Sequence, residues 1–319
     1  MNLQFSIYIY MILLFSCDTS ETNNTDKKKN DLNVIEQKIN ESNPEKSKDF
    51  FKDFNLKLNY KPKDILPPGP VKKHGGDERN ISNIQIDSIK NAARNFIPSE
   101  VLNSDIIIMK TNFGNMKLKF FSNFAPNHCY NFKRLANSGY YDNTLFHRVI
   151  KSFMIQGGDI LSRDSNLEND GTGDPGWNIN SEFNSLMHKR GTLSMARGGS
   201  PNSAGSQFFI CHRDAPHLDN KYTIFGEVVE NIHVIDRIAS TPTHYSSARM
   251  GCSNTIPPGE NIDDWIKLQD PKNGRDIYSK IPEGFSSSEH KRIMNKELRN
   301  DQPILPVVIK EVRVLKINE

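Results

Sequence analysis

Cysteine is scarce. There are four in 319 residues, at 17, 129, 211 and 252, and none forms a CxxC pair. That excludes a zinc-ribbon site and a dense disulfide framework. Setting Cys17 aside leaves three, an odd number that argues against a complete disulfide set. Net charge is nearly absent as well. The 41 basic and 38 acidic side chains leave +3, so no global basic field points to nucleic acid. Apolar residues make up only 36% of the chain, below the usual globular share. Part of the length must therefore lie outside a packed core. No apolar run reaches the roughly 18 residues of a spanning helix. The nine histidines contain no HExxH pair, and His212 and His217 stand apart in a loop, so no metal site is expected. Ser194 and Ser206 lack the GxSxG setting of an acyl-transfer nucleophile. No cofactor is expected.

What is present begins with an apolar run at residues 5–15, FSIYIYMILLF, followed by Ser16, Cys17 and a sharply polar stretch. It has the length of a signal-peptide core and is too short to cross a bilayer. Leu14-Phe15-Ser16-Cys17 resembles a bacterial lipobox, in which the cysteine is lipidated and opens the mature chain. Phe15 fits that pattern loosely, and no Lys or Arg precedes the run. A simply cleaved signal and a buried strand are the alternatives. Residues 1–17 are thus read as a lipoprotein-type signal peptide. Residues 18–76 mix Asn, Lys, Asp and Glu and end in the Pro/Gly stretch KDILPPGPVKKHGG. Such a chain cannot bury enough surface to offset its ordering entropy, so it is expected to be a disordered tether. Residues 77–103 form a short helical lead-in, with Ile86, Ile89, Ala93 and Phe96 at helical spacing.

From residue 104 the chain reads as a folded domain running to 319. The stretch Ile106-Ile107-Ile108-Met109 is a compact apolar strand, and Met116, Leu118 and Phe120 alternate with Lys117 and Lys119. With turn residues between them they make a hairpin. Pro126 opens a helix whose Cys129, Phe132, Leu135 and Ala136 share one face, and Gly139 stops it. Short apolar segments at 145–155, 191–196, 206–211 and 222–229 follow, and a second helix is expected over 231–239. Many short strands with glycine-rich connections suggest a closed β-barrel. Residues 241–302 are rich in Pro, Gly and Ser, with a helix-like patch at 288–299. They are expected to be a surface excursion on the barrel's side.

Three blocks carry a specific resemblance: FHRVIKSFMIQGGD (146–159), LSMARGGSPNSAGSQFFI (193–210) and HLDNKYTIFGEV (217–228). Their order and spacing are similar to the cyclophilin family of peptidyl-prolyl isomerases. The resemblance covers roughly 104–240 and the last strand, Pro306 to Ile317, which in the family closes the barrel. The insertion at 241–302 lies between them. The fold implied is mainly β, a closed cyclophilin-like barrel capped by two helices, behind the disordered N-terminal tether.

The implied chemistry is isomerisation of an X-Pro bond. Amide resonance sets a barrier of about 18–20 kcal/mol. No bond to substrate forms or breaks; a catalyst need only favour the twisted amide over both planar isomers. The twisted nitrogen regains a lone pair, and a fixed guanidinium suits it because arginine stays charged and directs its N–H groups. By the resemblance, Arg148 is that arginine, and Gln156 hydrogen-bonds the substrate backbone and orients it. Phe153, Met154, Phe209 and Leu218 line the pocket for the proline ring. Ala196 and Arg197 form the edge that pairs with the residue before proline, and Gln207 stands beside the pocket. Taken singly, Arg148 also fits a surface ion pair and the apolar residues also fit core packing. The glycines at 171, 173, 198, 199 and 205 are expected in loops needing positive φ or close approach.

Two positions depart from the common family pattern. His217 stands where many members carry tryptophan, and Tyr222 where many carry histidine. The resemblance implies weaker cyclosporin-type binding with catalysis retained. The partners expected are proline-containing polypeptide clients, with no nucleic acid. A lipid on Cys17 would provide a membrane contact, and the protein would act as a monomer in the extracytoplasmic space of a bacterial envelope. A barrel that grips proline segments without turnover, or an envelope scaffold built on the insertion, are the competing functions.

Overall fold

The computed structural model describes residues 81–316. The signal peptide, Cys17 and the tether lie outside the described residues, as does Ile317. The first element is α1 (Asn83–Asn95). Ser82 starts it with a reciprocal cap: its hydroxyl accepts from the Gln85 amide while its own amide donates to the Gln85 side chain. That arrangement satisfies two donors a helix start otherwise leaves open. Ile86 and Ala93 are buried, and the Arg134 Nε–H donates to the Ala93 carbonyl at 2.8 Å. The lead-in helix is therefore docked on the domain that follows.

The sheet is built from β1 (Ile106–Thr111), β2 (Gly114–Phe120), β3 (Thr144–Leu145), β4 (Arg148–Ile150), β5 (Met154–Gly157), β6 (Thr192–Met195), β7 (Phe208–Cys211), β8 (Ile224–Glu230) and β11 (Val308–Leu315). Its order is β3-β11-β1-β2-β8-β6-β7-β5-β4, and every pairing is antiparallel. Register shifts in β1/β11, β2/β8 and β6/β8 add the local twist that curls a sheet. The expected closed barrel is corrected in one respect: no hydrogen-bonded ladder joins the two edge strands. Instead β3 runs directly into β4 through Phe146 and His147, so the seam is closed by the chain itself. The Phe146 amide donates to Val307 O and the Val149 amide to Asp301 O across that seam, each at 2.9 Å.

Two helices cap the sheet: α2 (Pro126–Asn137) and α3 (His233–Ala239). The α2 start has no side-chain cap of its own. Glu182 substitutes from a distance, its carboxylate accepting from the amides of Asn127 and His128. Cys129, Phe132, Leu135 and Ala136 all face the core. Phe132 is its centre, with the rings of Phe120, Tyr141, Phe208 and Phe225 5.1–6.0 Å from it.

The 241–302 segment is more than a surface excursion. It holds α4 (His244–Met250), the hairpin β9 (Trp265–Gln269) and β10 (Asp276–Lys280), and α5 (Ser287–Glu297). Ala248, Ile266, Leu268, Ile277, Met294 and Leu298 form an apolar cluster separate from the barrel core. The composition understates this because strand alternation puts the few apolar residues, Ile266 and Leu268 among them, on one face.

Candidate active site

Strand alternation makes the site. In the β4/β5 ladder Arg148 faces Gln156, Val149 faces Ile155, and Ile150 faces Met154. Successive side chains point to opposite faces. Val149 and Ile155 therefore enter the barrel core, and Arg148, Ile150, Met154 and Gln156 share the outer face. On β7 the same rule sends Phe208 and Ile210 inward and Phe209 and Cys211 outward. The outward residues form a second apolar cluster: Met154, Phe209, Cys211 and Ala215, with Ile150, Phe153, Ala196, Leu218 and Tyr222 packed against it.

The polar rim is continuous. Arg148 donates to Gln156 Oε1 at 3.3 Å, and Gln156 Nε2 donates to Gln207 Oε1 at 3.0 Å. Gln207 Nε2 in turn donates to the carbonyls of Gly171 and Gly173 at 2.9 and 3.0 Å. Those glycines lie in a loop tied down by buried Asp159, whose carboxylate accepts from the amides of Leu161, Gly171 and Gly173. Arg148 itself is exposed and available to a ligand.

The walls are aromatic. Phe209 stacks on His188 at 5.9 Å between centroids and meets Tyr222 edge-on at 5.8 Å. Phe153 lies 5.3 Å from the exposed His217 ring. Ser152 precedes Phe153 with φ of 66°, a conformation rare outside glycine. Its amide donates to His212 Nδ1 at 2.9 Å, which helps hold the turn. All eleven residues singled out within the domain gather here. The Ala196 amide donates to Gln207 O at 2.9 Å, which ties this edge to the polar rim. Arg197 folds back, donating to the carbonyls of Lys221 and Gly198 with its guanidinium 4.6 Å from the Tyr222 ring centroid. Asp159, His188, Cys211 and Ala215 were not singled out for the site. Asp159 follows Gly157-Gly158 directly, and a carboxylate there is the one sequence signal that could have marked it.

Burial controls the titration of these groups. It pushes the Cys211 thiol up to about 12, with the Asp214 and Asp219 charges adding to the effect; that thiol is inert at neutral pH. Burial also holds His188 below its ordinary value near 6.5, although the hydrogen bond and charge of Asp219 pull the other way. The same cause lowers His147, His212 and His290. A histidine whose folded pKa is depressed binds fewer protons folded than unfolded, so stability rises with pH across that interval. The melting temperature is expected to be flat above about pH 7 and to fall as pH drops from about 6.5 toward 5. A flat profile over that range would contradict the assignment.

The family model described as cyclophilin type peptidyl-prolyl cis-trans isomerase/CLD matches residues 106–254. A peptidyl-prolyl cis-trans isomerase of Synechococcus elongatus is 45% identical over 141 residues, covering 42% of this chain and 92% of that protein. The chain belongs to the cyclophilin family. A peptidyl-prolyl cis-trans isomerase of Acinetobacter baylyi is 40% identical over 152 residues, 46% of this chain and 78% of that one. The crystal structure of a Cryptosporidium parvum cyclophilin-type isomerase in the presence of the dipeptide Ala-Pro covers 66% of this chain and 98% of its own, at 26% identity and a TM-score of 0.45. The cyclophilin match stops at 254, inside the insertion, yet β11 pairs with both β1 and β3. The sheet is completed by residues beyond the matched span.

The expected role of the glycines divides. Gly171 has φ of +87°, whereas Gly173 leaves no room for a side chain: a Cβ there would collide with Asp159 Oδ1. Gly205 is also closely approached, since a Cβ there would lie 2.9 Å from Pro175 Cδ; at Gly198 the nearest atom is the Ser203 hydroxyl at 3.2 Å, and Gly199 has neither constraint. Gly173→Ala is expected to destabilise the cyclophilin domain by about 2 kcal/mol through overpacking. It should also weaken peptide binding, because the carbonyl that holds Gln207 moves. Thermal melts and a peptide titration would check both effects.

Proposed function

We propose that this chain accelerates cis–trans isomerisation of X-Pro bonds in polypeptide clients outside the cytoplasm, as a monomer held to a membrane through a lipid on Cys17. The observation that carries the catalytic part is the placement of Arg148, paired with Gln156, at the rim of the outer apolar cluster. A proline ring buried against Phe153, Met154, Phe209 and Leu218 would lie beside the guanidinium. Its N–H groups can then donate to the imide nitrogen only when the amide is twisted, an interaction absent from both planar isomers. Interactions confined to the transition state raise turnover. Lowering the barrier from about 18–20 to roughly 13 kcal/mol would give turnover on the order of 10³ per second. Gln156 limits the arginine's freedom.

The extracytoplasmic part rests on the apolar run at 5–15 and the Leu14-Phe15-Ser16-Cys17 tetrapeptide. A single acyl chain binds membranes only marginally, and stable anchoring takes more than one signal. A tethered isomerase would meet emerging clients at raised local concentration. The catalytic part is tested by a protease-coupled assay of the full chain on an X-Pro peptide; rates equal to the uncatalysed ones would overturn it. For the anchor, Cys17→Ser is expected to move the protein from membrane to soluble fractions with domain activity unchanged. Intact-mass analysis should find the wild-type mature chain opening on a modified Cys17. A mature chain starting after Cys17 would leave a simply secreted isomerase.

A further inference from the structure

Arg148 has a second partner, and it comes from the insertion. Asp301, near the insertion's end, places Oδ2 3.7 Å from Arg148 Nε. Its backbone is pinned at the same spot, since its carbonyl accepts from the Val149 amide at 2.9 Å. The carboxylate is itself braced: Oδ1 accepts from Lys272 Nζ at 2.7 Å. Lys272 stands in the β9–β10 turn with its ammonium 3.8 Å from the Tyr245 ring centroid. The Tyr245 hydroxyl donates to buried Asp270 at 3.1 Å, and Asp270 also accepts from the Lys272 amide and from Arg249 Nε. A chain of charged and polar groups therefore runs from the insertion's interior through Lys272 and Asp301 to Arg148, Gln156 and Gln207.

The insertion also grips the other side of the rim. Gln302 Nε2 donates to Leu167 O and Asp170 Oδ2, both at 2.8 Å, and Lys296 pairs with Glu168 at 2.9 Å. These are residues of the loop whose Gly171 and Gly173 carbonyls hold Gln207. A half-exposed arginine left alone spreads over many rotamers and must give up that freedom to act. At 3.7 Å the Asp301 carboxylate is an ion-pair partner beyond hydrogen-bond reach. Its charge favours orientations that keep Nε toward Asp301 and leave the terminal N–H groups for Gln156 and a substrate.

We propose that Asp301, braced by Lys272, is a positioning residue for Arg148, so that the 241–302 insertion is a working part of the isomerase site. The inference rests on the catalytic role of Arg148 put forward above. In the full-length chain, Asp301→Ala is expected to lower kcat about tenfold with KM within about twofold, the signature of lost orientation. Asp301→Glu, which keeps the charge, should recover part of the loss, and Lys272→Met should show a smaller loss in the same direction. In an Arg148→Ala background, Asp301→Ala should cost nothing further, because it acts only through that side chain. An independent readout needs no turnover: the Arg148 Nε–H resonance of labelled protein should exchange with solvent faster in Asp301→Ala than in wild type. Wild-type kcat together with an unchanged Nε–H signal in folded Asp301→Ala would overturn the proposal. So would an equal fractional loss in the Arg148→Ala background. If the wild-type chain itself gave no turnover, the isomerase reading would fall, while the Nε–H comparison would still decide whether Asp301 holds Arg148.

Discussion

Arg148→Ala is expected to lower kcat/KM about 10²–10³-fold, as for removal of a directed electrostatic stabiliser, while the fold survives. The fold should survive because the side chain is 45% exposed and stands outside the buried core. Its hydrogen bond to Gln156 and its 3.7 Å approach to Asp301 lie at the rim, where single ion pairs contribute little to stability. Arg148→Lys should also be poor. An ammonium keeps the charge but cannot pair with Gln156 and a substrate nitrogen through one rigid plane. The protease-coupled assay, with circular dichroism to check folding, separates the outcomes. Near-normal turnover in a folded Arg148→Ala protein would sink the mechanism.

Lys133→Met should have the largest effect on stability, about 3–5 kcal/mol. Lys133 and Asp105 are both buried, at 1% and 0% exposure. The ammonium donates to Asp105 Oδ2 at 2.7 Å and to Glu100 O at 2.9 Å. It thereby ties α2 to the segment leading into β1. Removing the lysine strands a carboxylate in the interior with, among the described residues, only the Leu102 amide left as donor, which is why breaking such a pair costs more than the pair contributes. For a domain of this size the melting temperature should fall by roughly 10 °C. The double variant Asp105→Leu/Lys133→Met should recover part of the loss, since no charge is then left unpaired. A single variant that melts with wild type would show that the pair is not desolvated.

The apolar patterns made much of this legible in advance. The hairpin of β1 and β2, the buried face of α2 and the lead-in helix follow from spacing, because each is amphipathic over a local window. The site residues were reached differently. Phe153, Met154 and Phe209 read equally well as core from periodicity, and only the family blocks marked them as pocket. The structure then supplies the reason: β5 and β7 carry apolar residues on both faces, so alternation divides them between the barrel interior and an outer cluster. A strand buried on both sides has no polar face from which to read its orientation.

What the sequence by itself determined is the local chemistry: the F-H-R and Q-G-G contexts of Arg148 and Gln156, the turn glycines, and the strands and helices whose amphipathic period is short-range. Tertiary structure alone decided three things. The seam is closed by the chain between β3 and β4 rather than by a ladder, because Phe146 and Val149 find their carbonyls on Val307 and Asp301, more than 150 residues away. The apolar-poor insertion builds a core of its own, because few residues suffice when two strands and two helices turn the same faces together. And Asp301 comes to stand beside Arg148, a contact no periodicity can announce, because it depends on where β11 and the insertion's end meet β4.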